Sequence, residues 1–359
     1  SKKQMNRLIQ GDVGSGKTIV AFLCMLFPVE SGAQVAFMAP TEVLAEQHFK
    51  SVLGLAKKLN LSVELLTGST KPKERDILLN NLLIGKTNIL IGTHALIEER
   101  VRFKKLGLVV IDEQHKFGVA QRAKLWSKKE EYYPHVLVMT ATPIPRTLAL
   151  TLYGDLDVSV IDELPKGRKE IITSHRNDNS RLKVLNFIKQ TVESGSQVYI
   201  VYPLIEESAK KDHKDLMDGY ESLTRYFPDT QIGVLHGRMK AENKDYEMKR
   251  FVEAKTKILV STTVVEVGVD VPNASVIIIE SAERFGLSQL HQLRGRVGRG
   301  KKQSYCILMT KYDISKESKE RIKAMVETSD GFKIANTDLK IRGPGNMMGT
   351  KQSGLLELR

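Results

Sequence analysis

A glycine-rich segment near the start of the chain restricts the fold more than any other feature. Residues 11–18 read GDVGSGKT and match the phosphate-binding loop pattern G-x-x-x-x-G-K-[ST] at every position. Apolar residues precede and follow the loop, as expected for a buried strand and a buried helix whose positive end points at phosphates. The glycines allow the tight turn, the lysine supplies a positive charge, and the threonine hydroxyl can bind Mg²⁺. The sequence therefore predicts a nucleoside triphosphate site formed by Gly11, Asp12, Val13, Gly14, Ser15, Gly16, Lys17 and Thr18.

Short apolar runs alternate with helical patterns along the whole chain, which is typical of parallel sheets with crossover helices. After the loop, five such runs begin at Val35, Val63, Asn88, Leu108 and Val136. Each run ends in small hydroxylated or charged residues. Because ligands of open α/β sheets bind beyond the carboxyl ends of the strands, we expect these residues to form one ligand-facing edge.

The middle of the chain predicts a boundary between two α/β lobes. Residues 155–169 lose periodicity and contain PKGR, so we expect a linker there. In the second half we expect a helix over 180–193 and an exposed, charged loop over 210–219. Further strands are expected near residues 198, 231, 257, 276 and 305. This half has no phosphate loop of its own, which favours a nucleotide lying between the lobes.

Composition limits the partners and the chemistry. A formal net charge of +13 and a pI near 9.5 favour a polyanionic partner. The two cysteines, Cys24 and Cys306, exclude a disulfide framework, and both lie in apolar runs that predict buried, unreactive thiols. The eight histidines show no metal-ligand spacing, so Mg²⁺ is the one metal expected. We find no apolar run of membrane-spanning length and no signal peptide.

An acidic pair follows the fourth apolar run. Asp112 and Glu113 come directly after LVVI, where a Walker B pair would lie. We expect Asp112 to hold Mg²⁺ and Glu113 to polarise the attacking water. The alternative is that the acidic pair caps the N-terminus of a helix, a role that would not depend on the phosphate-binding loop upstream. A water-polarising carboxylate favours a hydrolase over a protein that only binds nucleotide.

An arginine-rich segment in the second half supplies candidate charges for the γ-phosphate. Residues 292–300 read QLRGRVGRG. Arginines separated by glycines can extend guanidinium groups towards a transferring phosphoryl group, and Arg296 and Arg299 are the candidates for arginine fingers. The alternative is a solvated basic loop.

The order of these motifs resembles that of superfamily 2 helicases. Besides the loop and the acidic pair, the resemblance rests on APTE (39–42), GTH (92–94), TAT (140–142), GVLHG (233–237), STT (261–263), EVGVD (266–270) and QLRGRVGR (292–299). Longer segments resemble the RecG family: MAPTEVLAEQH (38–48), VIDEQHKFGV (110–119), MTATPIPRT (139–147) and DLKIRGPGNMMGTKQSG (338–354).

The resemblance implies an α/β fold of two tandem RecA-like parallel-sheet lobes with a small carboxy-terminal helical hairpin and tail. The expected bounds are 1–164 for the ATP-binding lobe, 165–312 for the lobe with the arginine fingers, and 313–359 for the hairpin and tail. The hairpin itself is expected over 316–329, and the tail that follows resembles the family's translocation motif.

The resemblance also implies roles for residues outside the loop. ATP binding would extend to Gly268, Asp270 and Gln292. Contact with DNA, or coupling of the ATP site to it, is expected of Pro40, Thr41, Thr93, His94, Thr140, Thr142, His236, Thr262, Thr263, Arg342, Lys351 and Gln352. Hydroxyl and loop N–H groups suit phosphate contacts that position a duplex without reading its sequence. The alternatives are ordinary helix caps and turns for the threonines, and a solvated terminus for the tail.

The activity that the resemblance implies is ATP-driven translocation on branched DNA, with regression of stalled forks and migration of Holliday junctions in recombination and repair. Mg²⁺ would accompany ATP. The protein would act as a monomer in the bacterial cytoplasm, associated with the nucleoid, and single-stranded DNA-binding protein would be a further partner. The family's wedge domain and adenine-contacting glutamine segment are not found in this sequence, so we expect a piece of a longer protein.

Three alternatives stay open at this stage. A double-stranded DNA translocase similar to Mfd shares the tail, although Gln114 and Pro344 fit RecG better. A nucleotide-gated DNA clamp would bind both ligands without turnover, but it would not need Glu113, Arg296 or Arg299. An RNA helicase shares the core motifs and lacks the tail.

Overall fold

The computed structural model describes residues 4–113, 133–141, 156–163, 169–203, 209–262, 269, 271–300 and 302–342. These residues fall into two compact units that divide between positions 164 and 165. Both units are parallel α/β sheets with helical connections. Among the described residues no helix is both long and apolar enough to cross a membrane.

The first unit contains a seven-stranded sheet. Its strands are β1 (Asn6–Gly11), β2 (Gln34–Met38), β3 (Val63–Leu66), β4 (Ile89–Gly92), β5 (Leu106–Asp112), β6 (His135–Thr140) and β7 (Asp157–Ile161). They lie in the order β3-β4-β2-β5-β6-β1-β7 and all pair in parallel. The described helices are α1 (Lys17–Glu30), α2 (Glu42–Ala56) and α3 (Pro72–Leu83).

The second unit contains a six-stranded parallel sheet. Its strands are β8 (Ile172–Asn177), β9 (Gln197–Val201), β10 (Ile232–Leu235), β11 (Ile258–Ser261), β12 (Ala274–Ile279) and β13 (Tyr305–Thr310), in the order β10-β11-β9-β12-β13-β8. Its described helices are α4 (Arg181–Glu193), α5 (Ala209–Tyr226), α6 (Ala241–Val252), α7 (Leu287–Arg294), α8 (Lys316–Glu327) and α9 (Gly331–Arg342).

The central strands explain why both sheets form. Every residue of β2, β4, β9, β11 and β12 is buried. Continuous apolar strands of this kind need cover on both faces, which crossover helices supply in parallel sheets. The predicted fold of two parallel-sheet lobes is confirmed.

A buried glutamine closes the amino-terminal edge of the first sheet. Gln34 begins β2, and its Nε2 donates to the carbonyl oxygens of Leu82 and Thr87 at 2.9 and 2.8 Å. Its Oε1 accepts from the backbone N–H groups of Lys104 and Lys105 at 2.7 and 3.2 Å. One side chain thus fixes the connections that enter β4 and β5.

The second sheet uses the same arrangement. Gln197 begins β9, and its Nε2 donates to the carbonyl oxygens of Phe251 and Thr256 at 2.6 and 2.8 Å. In each lobe a Ser-Gly pair lies just before the glutamine, and Gly32 and Gly195 have φ values of 74° and 81°. A left-handed conformation at the end of a helix favours glycine, so both turns use the same residue for the same reason.

The predicted linker was wrong in part. Asp157–Ile161 form β7, which pairs in parallel with β1 at the edge of the first sheet. Its burial pattern mixes exposed and half-buried residues, as an edge strand allows, so it lacks the apolar run by which a central strand is recognised. No strand was predicted at β8, which has the same mixed burial at the edge of the second sheet.

The predicted loop over 210–219 was wrong. These residues lie within α5, whose buried stripe of Leu216 and Leu223 continues to Phe227 beyond the helix end. These residues are spaced as on one face of a helix. The segment predicted as a loop stopped at Gly219, and because the first half of α5 is mostly charged, that segment contained too few apolar residues to show the helical pattern.

The predicted hairpin bounds were too short. α8 ends at Glu327, and the second helix, α9, begins at Gly331 and includes Asp338 and Arg342. Asp330 starts this helix, because its Oδ1 accepts from the N–H groups of Phe332 and Lys333 at 2.9 and 3.2 Å. The first residues that we had placed in the tail therefore complete the hairpin.

The two thiols differ in burial. Cys306 is fully buried, and burial raises its pKa to about 12, which confirms an inert thiol. Cys24 is half-buried, and burial raises its pKa as well. The prediction that Cys24 is buried was therefore wrong.

Candidate functional site

The phosphate-binding loop joins β1 to α1 by a turn that requires glycine. Gly14 and Gly16 have φ values of 76° and 95°, in the left-handed region. Gly11 is restricted by space instead, since a Cβ there would lie 2.6 Å from Ser15 Oγ and 3.0 Å from the carbonyl oxygen of Ile161. The loop therefore has the tight backbone path that phosphate binding needs.

The lysine of the loop is held inside it. Lys17 is the first residue of α1, and its side chain is buried. Its Nζ donates to the carbonyl oxygens of Gly11 and Asp12 at 2.8 and 2.9 Å. These bonds hold the ammonium group at the helix N-terminus, where a phosphate would be bound.

The carboxylate of Asp112 lies at the carboxyl end of β5 and is buried. Its Oδ2 lies 2.8 Å from Nε2 of His48, which comes from α2. His48 also packs against Phe37, with ring centroids 4.6 Å apart. This histidine was not among the predicted site residues, although its position between buried Leu44 and Val52 on one helix face could have indicated it.

The carboxylate of Glu113 is held by the last residue of β6 and the residue after it. The backbone of Glu113 has a φ of 50°, an unusual value for a residue with a side chain. The backbone N–H of Glu113 donates to the carbonyl oxygen of Met139 at 3.0 Å. The N–H of Ala141 donates to Glu113 Oε1 at 3.3 Å, and the Thr140 hydroxyl lies 3.5 Å from Oε2. Strained backbone of this kind is often found at functional sites.

The sheet brings these groups to one edge. β5, β6 and β1 are neighbours, so their carboxyl ends place the loop, the acidic pair and Thr140 side by side. The expected ligand-facing edge is therefore present for these strands. The described residues contain no cluster of three metal-binding side chains. The hard oxygens of Asp112 and Thr18 suit Mg²⁺, which usually takes one or two carboxylates together with substrate phosphates and water.

The residues predicted to face DNA differ in exposure. The Thr41 hydroxyl accepts from the N–H of Leu44 at 3.3 Å and so caps α2. His94 is exposed, whereas the side chains of Thr93, Thr140 and Thr262 are buried. The hydroxyls of Thr93 and Thr262 make no hydrogen bond with the described residues. Of the side chains of Thr93, His94, Thr140 and Thr262, that of His94 alone is exposed.

The other predicted residues are distributed as follows. Pro40 is half-buried before α2, and His236 is half-buried after β10. Arg342 is the last residue of α9. The predicted residues Thr142, Thr263, Gly268, Asp270, Lys351 and Gln352 lie outside the described residues.

The arginine segment follows α7 of the second unit. Gln292 is half-buried on the helix, Arg296 is buried in the turn after it, and Arg299 is half-buried just beyond Gly298, whose φ is 81°. Their roles at a γ-phosphate stay predictions.

Sequence reasoning missed Arg294. It is buried and donates to the carbonyl oxygens of Met325, Thr328 and Ser329 at 2.9, 2.8 and 3.0 Å. It also lies 3.1 Å from Nδ1 of His291. Arg294 thus caps the carboxyl end of α8 and ties the hairpin to α7.

Comparisons with known proteins agree with this geometry. Residues 2–151 match the DEAD/DEAH box helicase family, residues 162–301 the helicase conserved C-terminal domain, and residues 328–358 the C-terminal part of domain 3 of ATP-dependent DNA helicase RecG. The ATP-dependent DNA helicase RecG of Synechocystis sp. is 57% identical over 352 residues, which cover 98% of this chain and 42% of that protein. RecG of Bacillus subtilis is 52% identical over 360 residues, 100% of this chain and 52% of that protein.

Solved structures agree as well. A RecG bound to a three-way DNA junction has a TM-score of 0.83 and 48% identity, covering 97% of this chain and 45% of that one. RNA-bound Dbp5 of S. cerevisiae has a TM-score of 0.65 at 18% identity over 91% of this chain and 84% of that one, which shows a shared fold alone. The chain spans about half the length of the curated relatives it matches. From the three matched segments and this level of identity, the chain belongs to the RecG family.

Proposed function

We propose that this chain is the motor portion of an ATP-dependent DNA helicase that translocates on branched DNA, regressing stalled forks and migrating Holliday junctions. The observation that supports this most strongly is the placement of Glu113 beside the phosphate-binding loop, with its carboxylate held by Thr140 and Ala141. A protein that only binds nucleotide has no need of a fixed carboxylate at that position.

In the proposed reaction each residue has one task. The loop N–H groups and Lys17 would bind the phosphates, and Asp112 and Thr18 would hold Mg²⁺. The bound metal would neutralise charge on the phosphate oxygens. Glu113 accepts a hydrogen bond from the attacking water and so orients it towards the γ-phosphate. Arg296 and Arg299 would stabilise the charge that develops there.

The coupling to DNA is proposed to pass through residues 140–142, at the carboxyl end of β6 and directly after it. Thr140 and Ala141 contact the Glu113 carboxylate directly, and the following residue, Thr142, was predicted to couple the ATP site to DNA. A shift of this segment on DNA binding would therefore reorient Glu113.

Branched DNA is the proposed substrate for two reasons. The chain has a net charge of +13, and a polyanion neutralises basic surfaces. A relative of this family has been solved on a three-way DNA junction. The same proposal includes four further points: Mg²⁺ as the metal, a monomeric state, single-stranded DNA-binding protein as a partner, and a place in the bacterial nucleoid. It also includes the domain bounds 1–164, 165–312 and 313–359.

The experiment is a steady-state ATPase assay without nucleic acid, with linear duplex, with a model fork and with RNA of matched length. Stimulation by fork or duplex but not by RNA supports the DNA motor. Equal stimulation by fork and duplex would locate branch preference outside this chain. Tight DNA binding without stimulation would contradict the motor and favour a nucleotide-gated clamp.

A further inference from the structure

A buried hydrogen bond connects the candidate metal-binding carboxylate to helix α2. His48 Nε2 lies 2.8 Å from Asp112 Oδ2, and the two side chains are only 8% and 12% exposed. A carboxylate oxygen accepts hydrogen bonds, so the ring nitrogen is the donor. Because both groups are shielded from water, the bond is strong enough to fix the orientation of the carboxylate.

The imidazole is itself held in place. Its ring packs on Phe37 of β2 with an interplanar angle of 37°. Leu44 and Val52, one turn before and one turn after His48, are buried on the same face of α2. The histidine therefore reaches Asp112 from a helix whose own position is fixed by packing.

We propose that His48 is a positioning residue for the metal-holding carboxylate. Its hydrogen bond to Oδ2 would hold the carboxylate in one orientation, in which Asp112 would hold the metal ion. This inference rests on the proposed function, since it assigns Asp112 to Mg²⁺. Hydrogen bonds to metal-binding carboxylates commonly tune metal affinity in this way.

The same bond links two parts of the proposed motor. α2 begins at Glu42, and its N-cap, Thr41, was predicted to contact DNA together with Pro40. A displacement of α2 would be transmitted to Asp112 through His48, 64 residues away in sequence.

The test compares three variants of the full chain. His48→Leu removes the donor and keeps an apolar side chain, whereas His48→Gln keeps an N–H donor at the end of the side chain. Val52→Ala is the matched control, because it shortens a buried side chain on the same helix face without an Asp112 contact. Binding of a fluorescent, non-hydrolysable ATP analogue is followed as Mg²⁺ is titrated without DNA, and thermal unfolding is measured without nucleotide.

We expect His48→Leu to raise the Mg²⁺ concentration for half-maximal binding about tenfold. His48→Gln should restore most of the wild-type value, and Val52→Ala should lower the melting temperature without changing the Mg²⁺ requirement. Should His48→Leu not fold, His48→Asn replaces it, because its shorter amide falls short of Oδ2.

The inference is overturned if loss of the imidazole changes the melting temperature but leaves the Mg²⁺ titration at the wild-type midpoint. His48 would then be a packing residue. A wild-type chain that binds no nucleotide at any Mg²⁺ concentration would contradict the proposed function itself, so the two failures are distinguishable.

Discussion

Replacing Arg294 with methionine is expected to release the helical hairpin from α7. Arg294 is 3% exposed, and three of its hydrogen bonds reach carbonyl oxygens at the end of α8 and in the turn that follows. A hydrogen bond to a charged group contributes about 1.5–3 kcal/mol. The three are not additive and water can reach part of the turn, so we expect a loss of about 3 kcal/mol in local stability.

Hydrogen exchange read by mass spectrometry measures this loss where it occurs. Because each 1.4 kcal/mol is about a factor of ten, amides of α8 and α9 should exchange about a hundredfold faster in the variant. The exchange rate in Arg294→Lys should fall between those of the wild type and Arg294→Met, since a lysine keeps the charge but lacks the planar fork of donors. Lys319→Met, on the exposed face of α8, is the matched control and should leave exchange unchanged.

The reasoning would be refuted if Arg294→Met left exchange in residues 316–342 at the wild-type rate. The turn carbonyls would then be satisfied without the guanidinium group, and the hairpin would be held by apolar contacts such as those of buried Ile322 and Met325.

Lys17→Ala should abolish ATP hydrolysis and keep DNA binding, measured by fluorescence anisotropy, because the ammonium group is proposed to bind phosphate and not DNA; equal loss of both would indicate an unfolded lobe. Glu113→Gln should slow single-turnover hydrolysis by about a hundredfold or more and lengthen the time for which ATP stays bound. If the variant hydrolyses ATP at the wild-type rate, Glu113 has no part in the mechanism. Burial raises the pKa of Cys306 to about 12, and the thiolate is the reactive form. At pH 8, iodoacetamide should therefore label Cys24 well before Cys306, which should become reactive on unfolding in guanidinium chloride; equal rates in the folded protein would contradict the assigned burial.

The parts of the site that were predictable from sequence are local in the chain. The phosphate-binding loop and the acidic pair are short segments whose residue types and spacing follow directly from the chemistry of phosphate and Mg²⁺. The central strands were predictable because burial on both faces leaves continuous apolar runs.

What sequence reasoning missed depends on contacts between distant residues. His48 and Asp112 are 64 residues apart, and Arg294 and Ser329 are 35 apart, so no window along the chain contains either pair. The edge strand β7 was missed for a different reason. Its identity depends on pairing with β1 rather than on its own composition.

The two buried glutamines suggest how the two lobes are related. Gln34 and Gln197 follow the same Ser-Gly turn, begin equivalent inner strands and fix the same kind of entering connections. Such correspondence is what an ancient internal duplication would leave behind. In the first lobe the phosphate-binding loop lies at the opposite, carboxyl-terminal edge of the sheet, so the shared glutamine holds one edge while the other edge is left to the nucleotide site.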